Sequence, residues 1–479
     1  MSTAIKTEGK KVTRPAYLSD RPGGGDCLRK ERLLRNTALL SATTLLMSLI
    51  GMAFQAWLAG RIGAAGIGLY QLVCSVTALG ATFAISGIRF ASTRLVAEEL
   101  GAARGEGVRA AMRRCLGYAA LFGAAAGLIL WFCAVPIGKG WIGDGRTVLS
   151  LRLSAFSMPC ISLCASISGY FTACGRLVRP TLIHLAEQLI GIALVAWFLH
   201  LAPNGNVEAC CAAVVSGRML ADLASLLMLS LACRDDLLRH FPIRAAGRGQ
   251  TERLLKIALP LASSAYARSG LSTAQHLLVP RGLRASGQSA DQALAGYGVV
   301  HGMALPLLLF PSCILASAAE LIVPELTREQ VQQQGLRIRR AIRKFLGLSL
   351  LFSCAVAAVL FVSAQPLGLL IFHSREAGRY IRLLAPLVPV MYTDMSVDGC
   401  LKGLGQQVWS MGINIVDSLS GLGLVWLLLP RWGLEGYLFV IFATETLNFL
   451  LSALRLVKVC RSLPKAEAQR SPAQPAQTA

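Results

Sequence analysis

The stretch that decides the fold runs from Gly399 to Pro430 and reads GCLKGLGQQVWSMGINIVDSLSGLGLVWLLLP. A second stretch, which begins at Gly169 and reads GYFTACGRLVRPTLIHLAEQLIGIALVAWFL, matches it without a gap at an offset of 230 positions (399 minus 169). Each copy reads as the end of an apolar helix, a turn marked by glycine and a second apolar helix. This agreement indicates an internal duplication, and we expect the functional site to lie between the halves.

The duplication extends over most of the chain. Residues 111–117 match residues 341–347 at the same offset, and residues 31–35 match residues 252–256 at an offset of 221 (252 minus 31). Six predicted helices per copy is an even number, so both copies enter the membrane from the same side and form a parallel repeat. This arrangement is typical of an alternating-access transporter, although a duplicated channel or structural bundle is an alternative.

The composition is that of an integral membrane protein. The chain has 479 residues, of which 54% are hydrophobic and 15% charged, and its mean hydropathy is +0.57. About 20 mostly apolar residues span a bilayer as a helix. The apolar runs predict an all-α fold of twelve transmembrane helices in two six-helix lobes, at about 36–59, 67–88, 115–135, 153–174, 180–201, 207–233, 254–279, 294–321, 343–363, 381–401, 408–429 and 433–457.

The net charge of +22 follows the predicted topology. Basic residues cluster in alternate loops and near both termini, which places both termini in the cytoplasm and argues against a nucleic-acid partner. The predicted divisions are a disordered basic leader (1–30), a first lobe (31–238), a basic cytoplasmic linker (239–252), a second lobe (253–460) and a disordered tail (461–479). The fourteen cysteines lie mostly in apolar helices and fit small packing residues rather than metal ligands. We therefore predict no metal site and no cofactor.

Several runs resemble a known family. They are residues 257–261 (IALPL), 278–283 (LVPRGL), 302–312 (GMALPLLLFPS), 321–326 (LIVPEL), 399–406 (GCLKGLGQ) and 429–437 (LPRWGLEGY). They resemble the stage V sporulation protein B family, which belongs with lipid II and oligosaccharide-lipid flippases in the MATE-like multidrug/oligosaccharidyl-lipid/polysaccharide superfamily. The resemblance covers roughly residues 31–460. It implies a two-lobed transporter that moves undecaprenyl-diphosphate-linked sugars outward across the bacterial plasma membrane. It also implies a role in peptidoglycan synthesis or sporulation, with cell-wall synthesis enzymes among the partners.

Arg268 is the first candidate for binding such a substrate. It lies in the middle of a predicted membrane helix, within SSAYARSGLSTAQH. A charged residue at membrane depth is costly and points to function, and the planar guanidinium suits a diphosphate because it can bind two oxygens at once. A structural pair with a carboxylate of a neighbouring helix is the competing interpretation.

Further polar residues could line the same cavity. Arg89 ends the second helix and either faces the cavity or marks the membrane boundary. Arg218 and Asp222 lie four residues apart on one helix face, which favours an internal ion pair. Gln55 and His276 occupy equivalent repeat positions (276 minus 55 is 221) and could face a central cleft as a pair. A histidine with a purely structural hydrogen bond is the alternative for His276.

Acidic residues at membrane depth are the candidates for ion coupling. Glu187 and Asp417 are repeat equivalents and acidic in both copies, so they either coordinate a coupling cation or proton or make packing contacts. Asp222 and Asp394 are further candidates, and Asp398 and His301 are weaker ones. Coupling to a monovalent cation, a proton or the membrane potential remains open at this point.

One absence separates two kinds of transporter. The first predicted helix, residues 36–59, holds no carboxylate, whereas many drug/cation antiporters of the resembled superfamily have one there. A flippase for lipid-linked sugars is therefore favoured, and a cation-coupled multidrug exporter is the alternative. A membrane-embedded glycosyl- or acyltransferase would need a metal-binding or His-Asp arrangement at the membrane face, but the loops are rich in Arg, Gly and Ala. A non-transporting scaffold would not explain the charges inside the membrane.

Overall fold

A computed structural model describes residues 25–101, 105–202, 206–241 and 250–463. Most of the predicted leader and linker, and nearly all of the predicted tail, lie outside these residues.

The first lobe consists of six membrane-crossing helices. The helix Gly25–Ile85 changes direction at Gly63, where φ is 71°, a conformation open to glycine. It therefore comprises α1 (25–62) and the first part of α2 (64–85), and α2 continues as Ile88–Gly101 after a break at Ser86 and Gly87. The remaining helices of this lobe are α3 (Gly105–Val135, extended by the π-helical turn Pro136–Ile142), α4 (Thr147–Ala173), α5 (Val178–Leu201) and α6 (Val207–His240).

The second lobe repeats this order. The helix Gln407–Ser462 turns at Gly433, where φ is 54°, so that it comprises α11 (407–432) and α12 (434–462). The helices that precede it are α7 (Gln250–Ala285), α8 (Ala290–Tyr297, Gly298–Ala304, Leu305–Leu309 and Ser312–Val331), α9 (Gly335–Phe372) and α10 (Arg375–Leu384, Ala385–Leu387 and Val388–Gly403).

The twelve predicted helices are confirmed in the part of the chain that the structure describes. By length and apolar composition alone, eight helical segments could cross a membrane. Two of them, Ala42–Gly101 and Gln407–Ser462, contain the turns at Gly63 and Gly433 and hence cross twice. The two crossings that composition misses are α7, which carries more polar residues, and the segmented α10.

The lobes meet along α2 and α8 at a contact between repeat-equivalent residues. Gly68 and Gly298 differ by 230 positions, and so do Ala64 and Leu294. A Cβ atom on Gly68 would lie 2.0 Å from the Leu294 carbonyl oxygen, and one on Gly298 would lie 2.1 Å from the Ala64 carbonyl oxygen. Each glycine therefore lets the backbone of the other lobe approach. The pseudo-twofold axis passes between them.

An even number of crossings places the start of α1 and the end of α12 on the same side, here called the terminal side. The opposite, distal side is closed by contacts between α7 and the α3–α4 connection. Arg284 donates from Nη2 to the Ile142 carbonyl oxygen at 2.6 Å and from Nη1 to the Gly143 carbonyl oxygen at 3.1 Å, and Arg281 donates to the Gly140 carbonyl oxygen. These bonds join the two lobes.

Candidate functional site

A polar cavity of about 610 Å³ lies between the lobes and is here called the central cavity. α2 of the first lobe forms one wall, and α7, α8 and α11 of the second lobe form the others. Hydroxyl groups join α2 to α7 along this wall. Thr82 Oγ1 donates to Ser269 Oγ at 3.2 Å, and Thr273 Oγ1 donates to the Ser75 carbonyl oxygen at 3.1 Å. These side chains give the cavity hydrogen-bonding groups at membrane depth.

Arg268 and Asp417 bring opposite charges to the central cavity. The Arg268 side chain is exposed to the cavity space, and it pairs with no carboxylate in the part of the chain that the structure describes. The structural ion pair considered for Arg268 is therefore absent from these residues. Asp417 Oδ1 is buried and accepts no hydrogen bond from the described residues. Both groups are available to a ligand.

Histidine and tyrosine side chains form a connected chain at the cavity wall. The Tyr297 hydroxyl lies 3.2 Å from His276 Nδ1, and the His276 and His301 rings are 4.8 Å apart between centroids. His301 Nε2 in turn contacts the Tyr437 hydroxyl. His276 thus lines the central cavity, as predicted for a ligand-binding residue, and also makes the hydrogen bond expected of a structural one.

A smaller cavity of about 320 Å³ lies in the first lobe between α1, α2, α5 and α6, and is here called the first-lobe cavity. Gln55, Glu187 and Arg218 line it. Glu187 is paired, because its Oε2 lies 3.1 Å from His184 Nδ1. The repeat equivalents Glu187 and Asp417 therefore differ: the first has a basic partner, whereas the second has none among the described residues.

Gln55 and His276 do not share one cleft as their repeat positions suggested. Gln55 lines the first-lobe cavity and donates from Nε2 to the Gly302 carbonyl oxygen at 3.0 Å, whereas His276 lines the central cavity. The bond from Gln55 joins α1 to α8 across the lobe boundary. The position of Gln55 between the lobes fits the prediction, but its side chain binds a backbone carbonyl and does not face an open cleft.

The ion pair predicted between Arg218 and Asp222 does not form. The Arg218 guanidinium extends along α5, with Nη1 3.5 Å from an ideal Cβ on Gly191, whereas Asp222 lies near Ser157 of α4. Although both leave one helix face, the two side chains reach different neighbouring helices. Helical spacing alone does not determine which neighbour a side chain meets.

Arg89 and Asp394 line neither cavity. Arg89 is an exposed residue in the terminal half of α2, which fits the membrane-boundary interpretation. Asp394 of α10 is buried and accepts a hydrogen bond from Asn448 Nδ2 at 2.8 Å. Asp398, four residues on, pairs with Lys402 at 2.6 Å.

Sequence reasoning missed Glu445 and Asn448 on α12. Glu445 is a partly buried carboxylate on which the charges of Asp417 and Asp394 act, so it belongs to the acidic residues at membrane depth in the second lobe. For Glu445 the sequence does carry a signal, the same one that pointed to Arg268: an ionisable residue within an apolar helix. Among the described residues, no group of three or more His, Cys, Asp or Glu side chains has an arrangement that could hold a metal ion.

Comparison with known proteins adds the family. The MatE family model matches residues 40–197 and 285–427, more than half of the chain and one segment in each lobe. The chain belongs to the MatE family. The double match of the MatE model agrees with two lobes that arose by duplication.

Three named proteins are similar to this MatE chain over most of its length. It is 24% identical over 439 residues to stage V sporulation protein B of Bacillus subtilis, covering 90% of this chain and 85% of that protein. It is 23% identical over 442 residues to sporulation protein YkvU of Bacillus subtilis, covering 90% and 96%. It is also 24% identical over 369 residues to the probable multidrug resistance protein NorM of Acinetobacter baylyi, covering 74% and 77%.

Solved structures of MatE-like transporters share the fold. The inward-facing conformation of a multidrug resistance MATE family transporter of the MOP superfamily superposes with a TM-score of 0.69 at 16% identity, covering 90% of this chain and all of that one. An outward-facing conformation gives a TM-score of 0.60 at 15% identity, covering 89% and 96%. The family and the fold are those of multi-pass membrane transporters.

Proposed function

We propose that this protein flips a polyprenyl-diphosphate-linked sugar, a peptidoglycan precursor or polysaccharide unit, from the inner to the outer leaflet of a bacterial plasma membrane. The observation that carries the proposal is Arg268, a cation in the central cavity with no carboxylate partner among the described residues. The diphosphate would supply the missing charge, and the hydroxyl-rich wall of α2 and α7 would bind the sugar. The relation to two sporulation proteins supports a role in sporulation or cell-wall synthesis.

The proposed cycle is alternating access between the lobes. With the distal side closed, the headgroup would enter the central cavity from the terminal side, and the basic loops support a cytoplasmic position for that side. Opening then requires the bonds from Arg281 and Arg284 to the α3–α4 connection to break. The contact between Gly68 and Gly298, which lies near the distal ends of α2 and α8, would have to loosen in the same step.

Ion coupling is proposed for the carboxylates. Asp417 faces the same cavity as Arg268, and its Oδ1 has no hydrogen-bond partner in the described residues, so it could bind a proton or a monovalent cation. Glu187 with His184 in the first-lobe cavity is the second candidate, and Asp222 and Asp394 are more remote. Gln55 and Arg218 are proposed to bind substrate groups that reach the first-lobe cavity.

Reconstituted flipping of a fluorescent polyprenyl-diphosphate sugar tests the proposal. A hydrogen bond to a charged group contributes about 1.5–3 kcal/mol, so Arg268→Ala should lower the flipping rate about ten- to hundredfold. Arg268→Lys retains the charge without the planar fork, so its flipping rate should lie between those of the wild-type protein and Arg268→Ala. Arg253→Ala removes an exposed arginine from α7 outside the cavity and serves as the matched control. Wild-type flipping rates in Arg268→Ala would contradict the role of Arg268.

A cation-coupled multidrug exporter is the second candidate function. It is favoured by Asp417, whose carboxylate would suit a cationic drug, and by the relation to NorM and to multidrug transporter structures. An exporter predicts that Asp417→Asn abolishes efflux of a cationic dye, whereas Arg268→Ala leaves efflux unchanged or raises it. The flippase predicts no dye efflux by the wild-type protein.

A further inference from the structure

Each lobe has an apolar groove at its terminal side, away from both cavities. The first-lobe groove lies between α3, α4 and α6 and has a volume of about 640 Å³. The second-lobe groove lies between α9, α10 and α12 and has a volume of about 870 Å³. In each, leucine side chains line the interior and three arginines lie among the lining residues.

The two grooves are the same feature in two copies. Eight pairs of lining residues differ by the repeat offset of 230, and in four of them the residue type is the same: Arg109 and Arg339, Arg113 and Arg343, Leu116 and Leu346, and Leu226 and Leu456. A groove that results from an accident of packing would not be expected twice at equivalent positions. The duplication therefore indicates that the groove belongs to the six-helix unit itself.

One arginine in each groove is structural. Arg109 donates from Nη2 to the Leu237 carbonyl oxygen at 2.7 Å, near the end of α6. Arg339 donates from Nε to the Cys460 carbonyl oxygen at 2.9 Å and from Nη2 to the Leu463 carbonyl oxygen at 2.6 Å, at the end of α12. Both arginines satisfy carbonyls that a helix end leaves unpaired.

The other two arginines of each groove have no such role. Arg113 and Arg234 in the first-lobe groove, and Arg343 and Arg461 in the second, are exposed and pair with no carboxylate within the described residues. No Asp or Glu lines either groove. Arg461 has Leu231, not Arg234, as its repeat equivalent. Each copy thus supplies its second free arginine from the end of its last helix, but the two arginines do not occupy equivalent repeat positions.

We propose that each groove binds one anionic phospholipid of the surrounding bilayer, with its phosphodiester between the two free arginines and its acyl chains in the groove. Arginines that only anchor a helix at the interface need no cavity beside them. Here the charge lies at the mouth of an apolar groove on the terminal side, which matches a lipid headgroup and tail. Basic pockets between membrane helices bind anionic headgroups in this way, and the guanidinium fork fits a phosphodiester.

Native mass spectrometry with added phosphatidylglycerol or phosphatidylcholine tests the proposal. The wild-type protein should retain two phosphatidylglycerol molecules and less phosphatidylcholine. Arg113→Gln with Arg234→Gln should remove one, Arg343→Gln with Arg461→Gln should remove the other, and the four changes together should remove both. Arg340→Gln with Lys344→Gln is the control, because it removes two exposed charges from the same end of α9 outside the groove. Melting temperatures of all variants in detergent report whether they fold.

A photoreactive phosphatidylglycerol provides a test without substitutions. Its acyl chain should label residues 226–238 and 456–461. The proposal is overturned by equal retention of phosphatidylcholine, by equal loss of lipid in the control variant, or by labelling spread over all helices. It is also overturned if a polyprenyl diphosphate displaces the phospholipid from the wild-type protein and the groove variants no longer bind the polyprenyl diphosphate. The grooves would then bind the transported substrate.

Discussion

Arg146 holds two carboxylates at the distal side. Its Nη2 lies 2.7 Å from Asp144 Oδ2 and 2.7 Å from Asp291 Oδ1, so it links the first lobe to the start of α8. Burial acts to raise the pKa of Asp144, but hydrogen bonds from Arg146 outweigh it, and the pKa falls below its usual value. A carboxylate with a lowered pKa contributes stability that is present above its unfolded pKa and is lost as the pH falls through the folded pKa.

The ion pair between Arg146 and Asp144 should therefore be independent of pH from about pH 5 upward, since the Asp144 carboxylate stays ionised throughout that range. Amide hydrogen exchange of residues 136–147, corrected for the intrinsic rate, should give the same protection at pH 5 and pH 8. Asp291→Asn should raise exchange no more than about fivefold, because an exposed ion pair contributes at most about 1 kcal/mol. Glu208→Gln, on the distal end of α6, is the control. A steep change in protection between pH 5 and pH 8 would contradict this account.

At the scale of elements, α2 and α8 approach through glycines that leave no room for a side chain. Gly68→Ala and Gly298→Ala would each place a Cβ about 2 Å from a backbone carbonyl oxygen of the other lobe. We expect either change to lower the stability by about 1–3 kcal/mol, as overpacking does in a filled core. Thermal unfolding in detergent measures the effect.

Gly412→Ala is the matched control for this contact, because a Cβ atom on Gly412 would meet nothing within 4 Å and the residue is helical. Alanine favours a helix over glycine by about 1 kcal/mol, so this control should be neutral or stabilising. If Gly68→Ala and Gly298→Ala unfold at the wild-type temperature, α2 and α8 have space to separate and the contact does not fix the lobes.

For the whole molecule, the charge distribution predicts the orientation. Basic residues near the membrane boundary are concentrated on the terminal side, which should face the cytoplasm. In a background without native cysteines, a membrane-impermeant maleimide added to intact cells should label Gly140→Cys on the distal side and spare Gln332→Cys on the terminal side until the cells are permeabilised. Labelling of Gln332→Cys in intact cells would reverse the orientation, and with it the direction of the proposed flipping.

The twelve helices and the two-lobed repeat could be predicted because membrane spans are long apolar runs and the duplication preserves the spacing. The arrangement of polar residues around each helix could be predicted only in part. Arg268 and Asp417 line the cavity between the lobes, but Gln55 and His276 lie in different cavities. Arg218 and Asp222 lie on one face of α6, but their side chains reach different neighbouring helices. The sequence indicates how deep in the membrane a residue lies. Which neighbour or cavity its side chain faces depends on how each helix is rotated when it packs against the other helices.

The contact between Gly68 and Gly298 also bears on the origin of the protein. Gly68 of the first half meets Leu294 of the second, and Gly298 of the second half meets Ala64 of the first, so the same two repeat positions face each other in exchanged order. That reciprocity is the signature of an interface between two identical subunits related by a twofold axis. A six-helix ancestor would have presented this surface to a second copy of itself before the genes were fused. The two halves of the transporter thus meet as two subunits of a homodimer would, and they now differ in the surroundings of one acidic position: Glu187 lies beside His184, whereas Asp417 faces the central cavity.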